Sequence, residues 1–219
     1  MNNQEKIEFI SNWISNYVEN MTVPAKSLVI GISGGIDSAL TSTLSCLSKI
    51  NTIVISMPIN PSSNICDLST IHGQWLTQKF DNSTHLTIDL TKAYQVFNLS
   101  LIENNQISDL GFANSKARLR MMTLYQVAAA QKGIVVGTGN KVEDFGVGFY
   151  TKYGDGGVDI SPIADCTKTQ VWELGKYLGV SSEIINTPPT DGLWDDGRND
   201  VQQLGMSYED LEKAMENKN

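Results

Sequence analysis

The sequence has little of what a secreted, stapled or nucleic-acid-binding protein needs. Its three cysteines, Cys46, Cys66 and Cys166, are odd in number, far apart and without a CxxC pair. That excludes a disulfide framework and the usual zinc spacings. There is no basic excess: 16 Lys and Arg stand against 24 Asp and Glu, a net charge of -8. A long nucleic-acid tract is therefore excluded as an expected partner, because phosphate neutralisation needs surplus cations. No apolar run is long enough to span a bilayer, and Met1 to Glu8 carries no apolar signal core, so the expectation is a cytoplasmic protein. The two histidines, His72 and His85, lack the spacing of metal ligands and are expected to be structural. What is present is an ordinary globular balance, 41% hydrophobic and 18% charged over 219 residues. Without a repeat, low-complexity tract or linker, residues 1–219 are expected to form one domain.

Strand-like and helix-like segments alternate along the chain. Ile7, Ile10, Ile14 and Tyr17 have helical spacing. Short β-branched runs at Ser27 to Ile32, Thr52 to Met57, His85 to Ile88 and Gly133 to Gly137 read as buried strands. Helical patterns cover Ala39 to Ile50, Ile65 to Phe80, Thr91 to Glu103, Ala113 to Gln131, Thr167 to Leu178 and Tyr208 to Glu216. Such alternation predicts an α/β fold with a doubly wound, mainly parallel sheet and helices on both faces. Ligands of these folds bind beyond the carboxyl ends of the strands. Two glycine-rich segments fall there: Gly31 to Ser38, and Gly137 to Gly157, a long stretch with little apolar periodicity.

Ser33-Gly34-Gly35-Ile36-Asp37-Ser38 lies between the first strand and a helix. Glycines there let backbone N–H groups approach an anion closely, and the helix start adds unpaired donors. The hydroxyls of Ser33 and Ser38 can donate to phosphate oxygens. Asp37 facing a polyphosphate would be repelled unless a cation lay between them, which implies Mg²⁺. The bland alternative is a tight turn with Asp37 as a helix-start charge. Neither the Walker A spacing nor GxGxxG is present.

The Ser33–Ser38 string resembles the SGGxDS loop of the N-type ATP pyrophosphatases, adenine nucleotide alpha-hydrolase-like proteins that cut ATP between its α and β phosphates. Within them, three further strings resemble the NAD synthetase family: Asn114-Ser115-Lys116-Ala117-Arg118-Leu119-Arg120-Met121, Gly137-Thr138-Gly139-Asn140-Lys141-Val142-Glu143, and Phe149 to Pro162. The resemblance implies ATP contacts from Gly31, Ile32, Ser33, Gly34, Gly35, Ile36, Asp37, Ser38, Thr138, Lys168 and Thr190. It implies Mg²⁺ on Asp37 and Glu143, and deamido-NAD on Arg118, Lys152 and Asp159. Asp37, Lys168 and Asp159 are the catalytic candidates, and Arg120 is held back as structural. By themselves, Glu143 reads equally as a solvated loop carboxylate, Lys152 as a surface lysine, Lys168 as a helix-start lysine extending into water, and Thr138 and Thr190 as turn hydroxyls. Trp172, Trp194, Tyr150 and Tyr177 are expected to pack rather than to stack on bases.

The implied reaction adenylates the nicotinate carboxylate of deamido-NAD and amidates it with ammonia, yielding NAD, AMP and pyrophosphate. Free ammonia, or ammonia from a separate protein, is expected because the length leaves no room for an amidase domain. Relatives are homodimers, and a homodimer is the expectation here. Many of them end in a basic His-Lys segment that contacts deamido-NAD. This sequence ends Glu216-Asn217-Lys218-Asn219, so other residues would have to replace those contacts. The rivals are another N-type pyrophosphatase amidating a different nucleotide, and a non-catalytic adenine-nucleotide binder.

Overall fold

The computed structural model describes residues 1–60, 67–190, 192–194 and 196–216. Ile65 and Cys66, assigned above to a helix start and to the cysteine inventory, lie outside these residues, as do Asp191 and the last three positions. Four short strands, β1 (Ser27–Gly31), β2 (Thr52–Ser56), β3 (Ser83–Thr87) and β4 (Gly133–Val135), form one parallel sheet in the order β3-β2-β1-β4. In register, Val29 of β1 lies beside Ile53 on one side and Val135 on the other. Chain order therefore reverses at β1, and the crevice between the carboxyl ends of β1 and β4 is the topological switch point where such folds bind ligands. The two glycine-rich segments leave the sheet at that point.

Alternation along the strands divides the core. Leu28 and Ile30 face α1 (Asn3–Glu19), α2 (Ile36–Leu47) and the later helix α6 (Lys168–Leu178). Val29, Ile53, Ile55 and Val135 face the opposite way, onto Met121, Leu124 and Ala128 of α5 (Asp109–Ala130). Val54 packs with Leu76 of α3 (Leu68–Lys79). Period-2 side-chain direction thus covers both faces of a parallel sheet. α1 follows from its sequence: Ile7, Ile10, Ile14 and Val18 make a buried stripe, and Asn2 with Glu5 closes a capping box at its start.

The helix α4 (Thr91–Glu103) is different, for Tyr94 is its one buried residue while Val96, Phe97, Leu99 and Ile102 are exposed. The remaining elements are α7 (Ser182–Asn186), α8 (Asp200–Leu204) and α9 (Tyr208–Glu216). α2 begins at Ile36, three residues before the sequence expectation, because Gly35 is its N-cap. α5 begins at Asp109 behind the capping hydroxyl of Ser108. Within the stretch 137–157, the structure has a π-helical turn, Lys141–Val147, where the sequence suggested only loop.

Candidate functional site

The phosphate loop continues β1. Gly34 has φ 89°, and a β-carbon there would stand 2.9 Å from Cβ of Leu68, so conformation and space both require glycine. The Ser38 hydroxyl accepts from the Ser33 amide at 3.2 Å and donates to the Gly35 carbonyl at 2.9 Å, which folds the loop over the helix start. No side chain caps α2, so its first amides are left for an anion. Ser33 is exposed and Gly35 half-buried, so the loop opens outward rather than packing inside.

Asp37, in the first turn of α2, and Glu143, on the π-helical turn beyond β4, converge on one ammonium. Lys168 Nζ lies 2.6 Å from Asp37 Oδ2 and 2.8 Å from Glu143 Oε1, and the lysine is only 1% exposed. The second oxygen of Asp37 accepts from Asn140 Nδ2 at 2.8 Å. Asn140, fully buried, also caps the π-helical turn by accepting from the amides of Val142 and Glu143. One side chain therefore fixes both carboxylates relative to each other.

The electrostatics are those of an unbalanced buried cluster. Burial, then the Asp37 charge, pushes the Glu143 carboxyl up, against the pull of Lys168. Burial opposes the Lys168 charge, but Asp37 and Glu143 outweigh it and hold the amine above its ordinary range. Asp144 beside them is pushed up to about 6, by burial first and then by Glu143, Asp155 and Asp37. Two carboxylate side chains face one ammonium, and a divalent ion added there would bring surplus positive charge, which a phosphate ligand would take up. Two carboxylate oxygens meeting where a cation already stands fit a hard divalent ion that takes its other ligands from phosphate and water. Among the described residues no group of three or more His, Cys, Asp or Glu is arranged to hold a metal, so any such ion shares its shell with a ligand.

The deamido-NAD candidates lie elsewhere, along α5. Arg118 Nε donates to the Lys152 carbonyl at 3.1 Å, and Asn114 Oδ1 accepts from the Thr151 hydroxyl at 2.6 Å, so α5 holds the loop that carries Lys152. Gly154 lets that loop approach Ala117, for a β-carbon there would come within 2.9 Å of it. Asp159 accepts from the Tyr125 hydroxyl at 3.0 Å and from the Val135 amide at 2.7 Å. Burial, then Asp159, pushes the Tyr125 phenol up to about 12. Arg118, Lys152 and Asp159 are all exposed, and the hydrogen bonds of Asp159 go to Tyr125 and Val135 rather than to the Asp37–Glu143–Lys168 cluster.

Arg120 braces α5 to the end of β2, donating to the Met57 carbonyl at 3.2 Å. Thr138 is half-buried just past β4. The Thr190 hydroxyl serves its own loop, donating to the Arg198 carbonyl at 3.1 Å and accepting from the Gly192 amide at 3.2 Å. Thr190 is thus a turn hydroxyl in this state. Trp172 packs against the α1–α2–α6 core and meets the Tyr208 ring edge-on. His72 is buried against Ser42 and pushed down to about 4 by burial. His85 bonds Ser56.

Three site residues were not singled out from sequence. Asn140 was within a quoted string and carries a visible signal, an N-cap residue just before a turn. Tyr208 and Asp200 carry no such signal: Tyr208 OH lies 2.6 Å from Glu143 Oε1 and 2.8 Å from Asp200 Oδ2, contacts that only the fold creates. Surface recesses of about 670 Å³, beside Arg198 and Gln202, and about 290 Å³, beside Met21 and Lys132, hold no candidate residue.

A family model described as NAD synthase matches residues 6–219. The NH(3)-dependent NAD(+) synthetase of Methanosarcina acetivorans is 41% identical over 208 residues, covering 92% of this chain and 78% of its own. A solved structure described as NMN synthetase from Francisella tularensis superposes with a TM-score of 0.89 at 34% identity, over 99% of this chain and 87% of that one. The NH3-dependent NAD synthetase from Campylobacter jejuni gives 0.73 at 29% identity, over 84% and 77%.

Proposed function

The chain belongs to the NAD synthase family, and from that premise we propose that it adenylates the nicotinate carboxylate of deamido-NAD with ATP and amidates it with ammonia. The observation that carries this reading is the meeting of Asp37, Glu143 and Lys168 beside the open phosphate loop. The loop amides and the Ser33 and Ser38 hydroxyls hold the β and γ phosphates. Asp37 and Glu143 would hold Mg²⁺, which would neutralise charge on the phosphate oxygens. Lys168 steadies the negative charge that grows on the departing pyrophosphate. A carboxylate oxygen attacks the α-phosphorus, the bond to the β-phosphate oxygen breaks, and pyrophosphate leaves. Ammonia then attacks the acyl carbon, and AMP leaves with the former carboxylate oxygen. Arg118 and Lys152 hold the nucleotide phosphates by charge-assisted hydrogen bonds, and Asp159, fixed by Tyr125 and the Val135 amide, orients the nicotinate half.

A second copy completes the protein in this reading. α4 exposes Val96, Phe97, Leu99 and Ile102, and α5 beside it exposes Leu110 and Met122. A helix with one buried residue gains little by packing on its own chain, and a patch of this kind marks an interface. Among the described residues no helix is long and apolar enough to cross a membrane.

The likeness to the Francisella tularensis protein favours a second reading, in which the amidated nucleotide is nicotinate mononucleotide. Incubation with ATP, Mg²⁺ and ammonium plus either acid nucleotide decides between them. NAD with stoichiometric AMP from deamido-NAD, at higher kcat/KM, supports the first reading; a preference for the mononucleotide supports the second. AMP from neither would leave a nucleotide binder.

A further inference from the structure

The cluster under the phosphate loop has a far side that the reaction just described does not use. Tyr208, the first residue of α9, points its hydroxyl between Glu143 and Asp200. Its ring lies 4.7 Å from Lys168 Nζ and meets Trp172 edge-on with centroids 6.0 Å apart. One side chain thus touches both Glu143 and the cation opposite it, while Asn140 holds the Asp37 side. Asp200 in turn is anchored through its amide to the Pro189 carbonyl at 2.9 Å, one residue before Thr190. A chain of contacts therefore runs from the Thr190 segment through Asp200 and Tyr208 to Glu143.

We infer that Tyr208, with Asp200 behind it, is the positioning pair for the metal carboxylate Glu143, so that α9 sets the affinity for the divalent ion without touching it. The inference rests on the metal reading given above. The physical reason is that Asn140 fixes the Glu143 backbone amide, while the direction of its carboxylate is set by side-chain partners, Lys168 and Tyr208, that both meet Oε1. A carboxylate with one oxygen already bonded to a fixed hydroxyl loses less freedom when it binds an ion. Outer partners of this kind typically change metal affinity about 10- to 100-fold.

Tyr208→Phe isolates the hydroxyl, since it keeps the ring over Lys168 and against Trp172. The readout is Mn²⁺ binding, followed by electron paramagnetic resonance in the presence of α,β-methylene-ATP, together with the KM for Mg²⁺ in turnover. Met215→Ala is the control: Met215 of α9 abuts Gly146 of the π-helical turn, so its removal loosens the α9 seat and leaves the hydroxyl in place. The expected result is Mn²⁺ affinity about tenfold weaker in Tyr208→Phe, with a matching rise in KM for Mg²⁺. At saturating Mg²⁺, kcat should be near the wild-type value, and Met215→Ala should stay within about twofold in Mn²⁺ affinity. Unchanged Mn²⁺ affinity in Tyr208→Phe overturns the inference alone. Equal weakening in both variants also overturns it, assigning the effect to helix docking. A wild-type protein that binds no Mn²⁺ with the analogue would overturn the metal reading itself, a different failure read from a different sample.

Discussion

The proposed ATP end and the proposed nucleotide end of the site are built in opposite ways. Asp37, Glu143 and Lys168 are tied to one another and to Asn140 and Tyr208, residues drawn from four separate parts of the chain. Arg118, Lys152 and Asp159 are exposed, and the contacts that hold them are few: Arg118 to the Lys152 carbonyl, and Asp159 to the Val135 amide and the Tyr125 hydroxyl. The difference teaches where preorganisation is needed. Electrostatic groups that act on a transition state must be fixed before reaction, and fixing charges under cover requires a network. Groups that only grip a substrate phosphate can wait in water. An open second half also suits a site that a second copy of the chain completes across α4 and α5.

Lys168→Met should strike hardest. It leaves two half-buried carboxylates without their cation, a loss of about 3 kcal/mol or less in stability and about 100- to 1000-fold in kcat. Thermal melts should show excess Mg²⁺ raising the variant's Tm by more than it raises the wild type's. If Mg²⁺ restores nothing, the two carboxylates do not form a cation site. Arg118→Ala should raise KM for the acid nucleotide about 10- to 100-fold, the range for a hydrogen bond to a charged group, with KM for ATP nearly unchanged. Equal losses for both substrates would erase the contrast between the two ends. Phe97→Glu should convert a two-chain species to a single chain in sedimentation and weaken nucleotide binding while sparing ATP. A wild-type protein that already sediments as one chain would remove the second-copy explanation.

The smallest effect concerns Asp144. Its carboxyl is raised above the unfolded value of 3.8 to about 6, so the protonated form favours the folded state. That contribution is fully present below about 4 and is lost as pH rises through about 6. Asp144→Asn should therefore raise Tm at pH 8, by about 2–4 °C once solvent screening reduces the gain to about 1 kcal/mol, and change it little at pH 4. A larger gain at the acidic end would reverse the assignment of cause.

The same contrast explains what could be read from the chain. The phosphate loop was legible because its chemistry is contiguous: a β-branched strand, two glycines, an acid and a helix start. α4 and α9 have the expected bounds, Thr91–Glu103 and Tyr208–Glu216, and the four parallel strands were each found within a few residues. The starts of α2 and α5 were placed late because Gly35 and Ser108, both available as N-caps, were not given that role. α7 and α8 were missed since five residues hold too little periodicity to register, although Asn199 and Gln202 form a capping box. The π-helical turn has no local signal beyond Asn140, because its other support comes from α9, more than sixty residues later. Lys168 shows the limit best. Sequence left it between water and phosphate, and the structure ion-pairs it with the two candidate metal carboxylates.

In the proposed reaction the Asp37–Glu143–Lys168 end serves attack on the innermost phosphorus, and oxygen tracing reads that step directly. Deamido-NAD labelled with ¹⁸O in both carboxylate oxygens, turned over with ATP, Mg²⁺ and ammonium, should deliver one ¹⁸O to AMP and retain the other in the amide of NAD. Unlabelled AMP, or ADP with labelled inorganic phosphate, would contradict adenylation and with it the assignment of Asp37, Glu143 and Lys168.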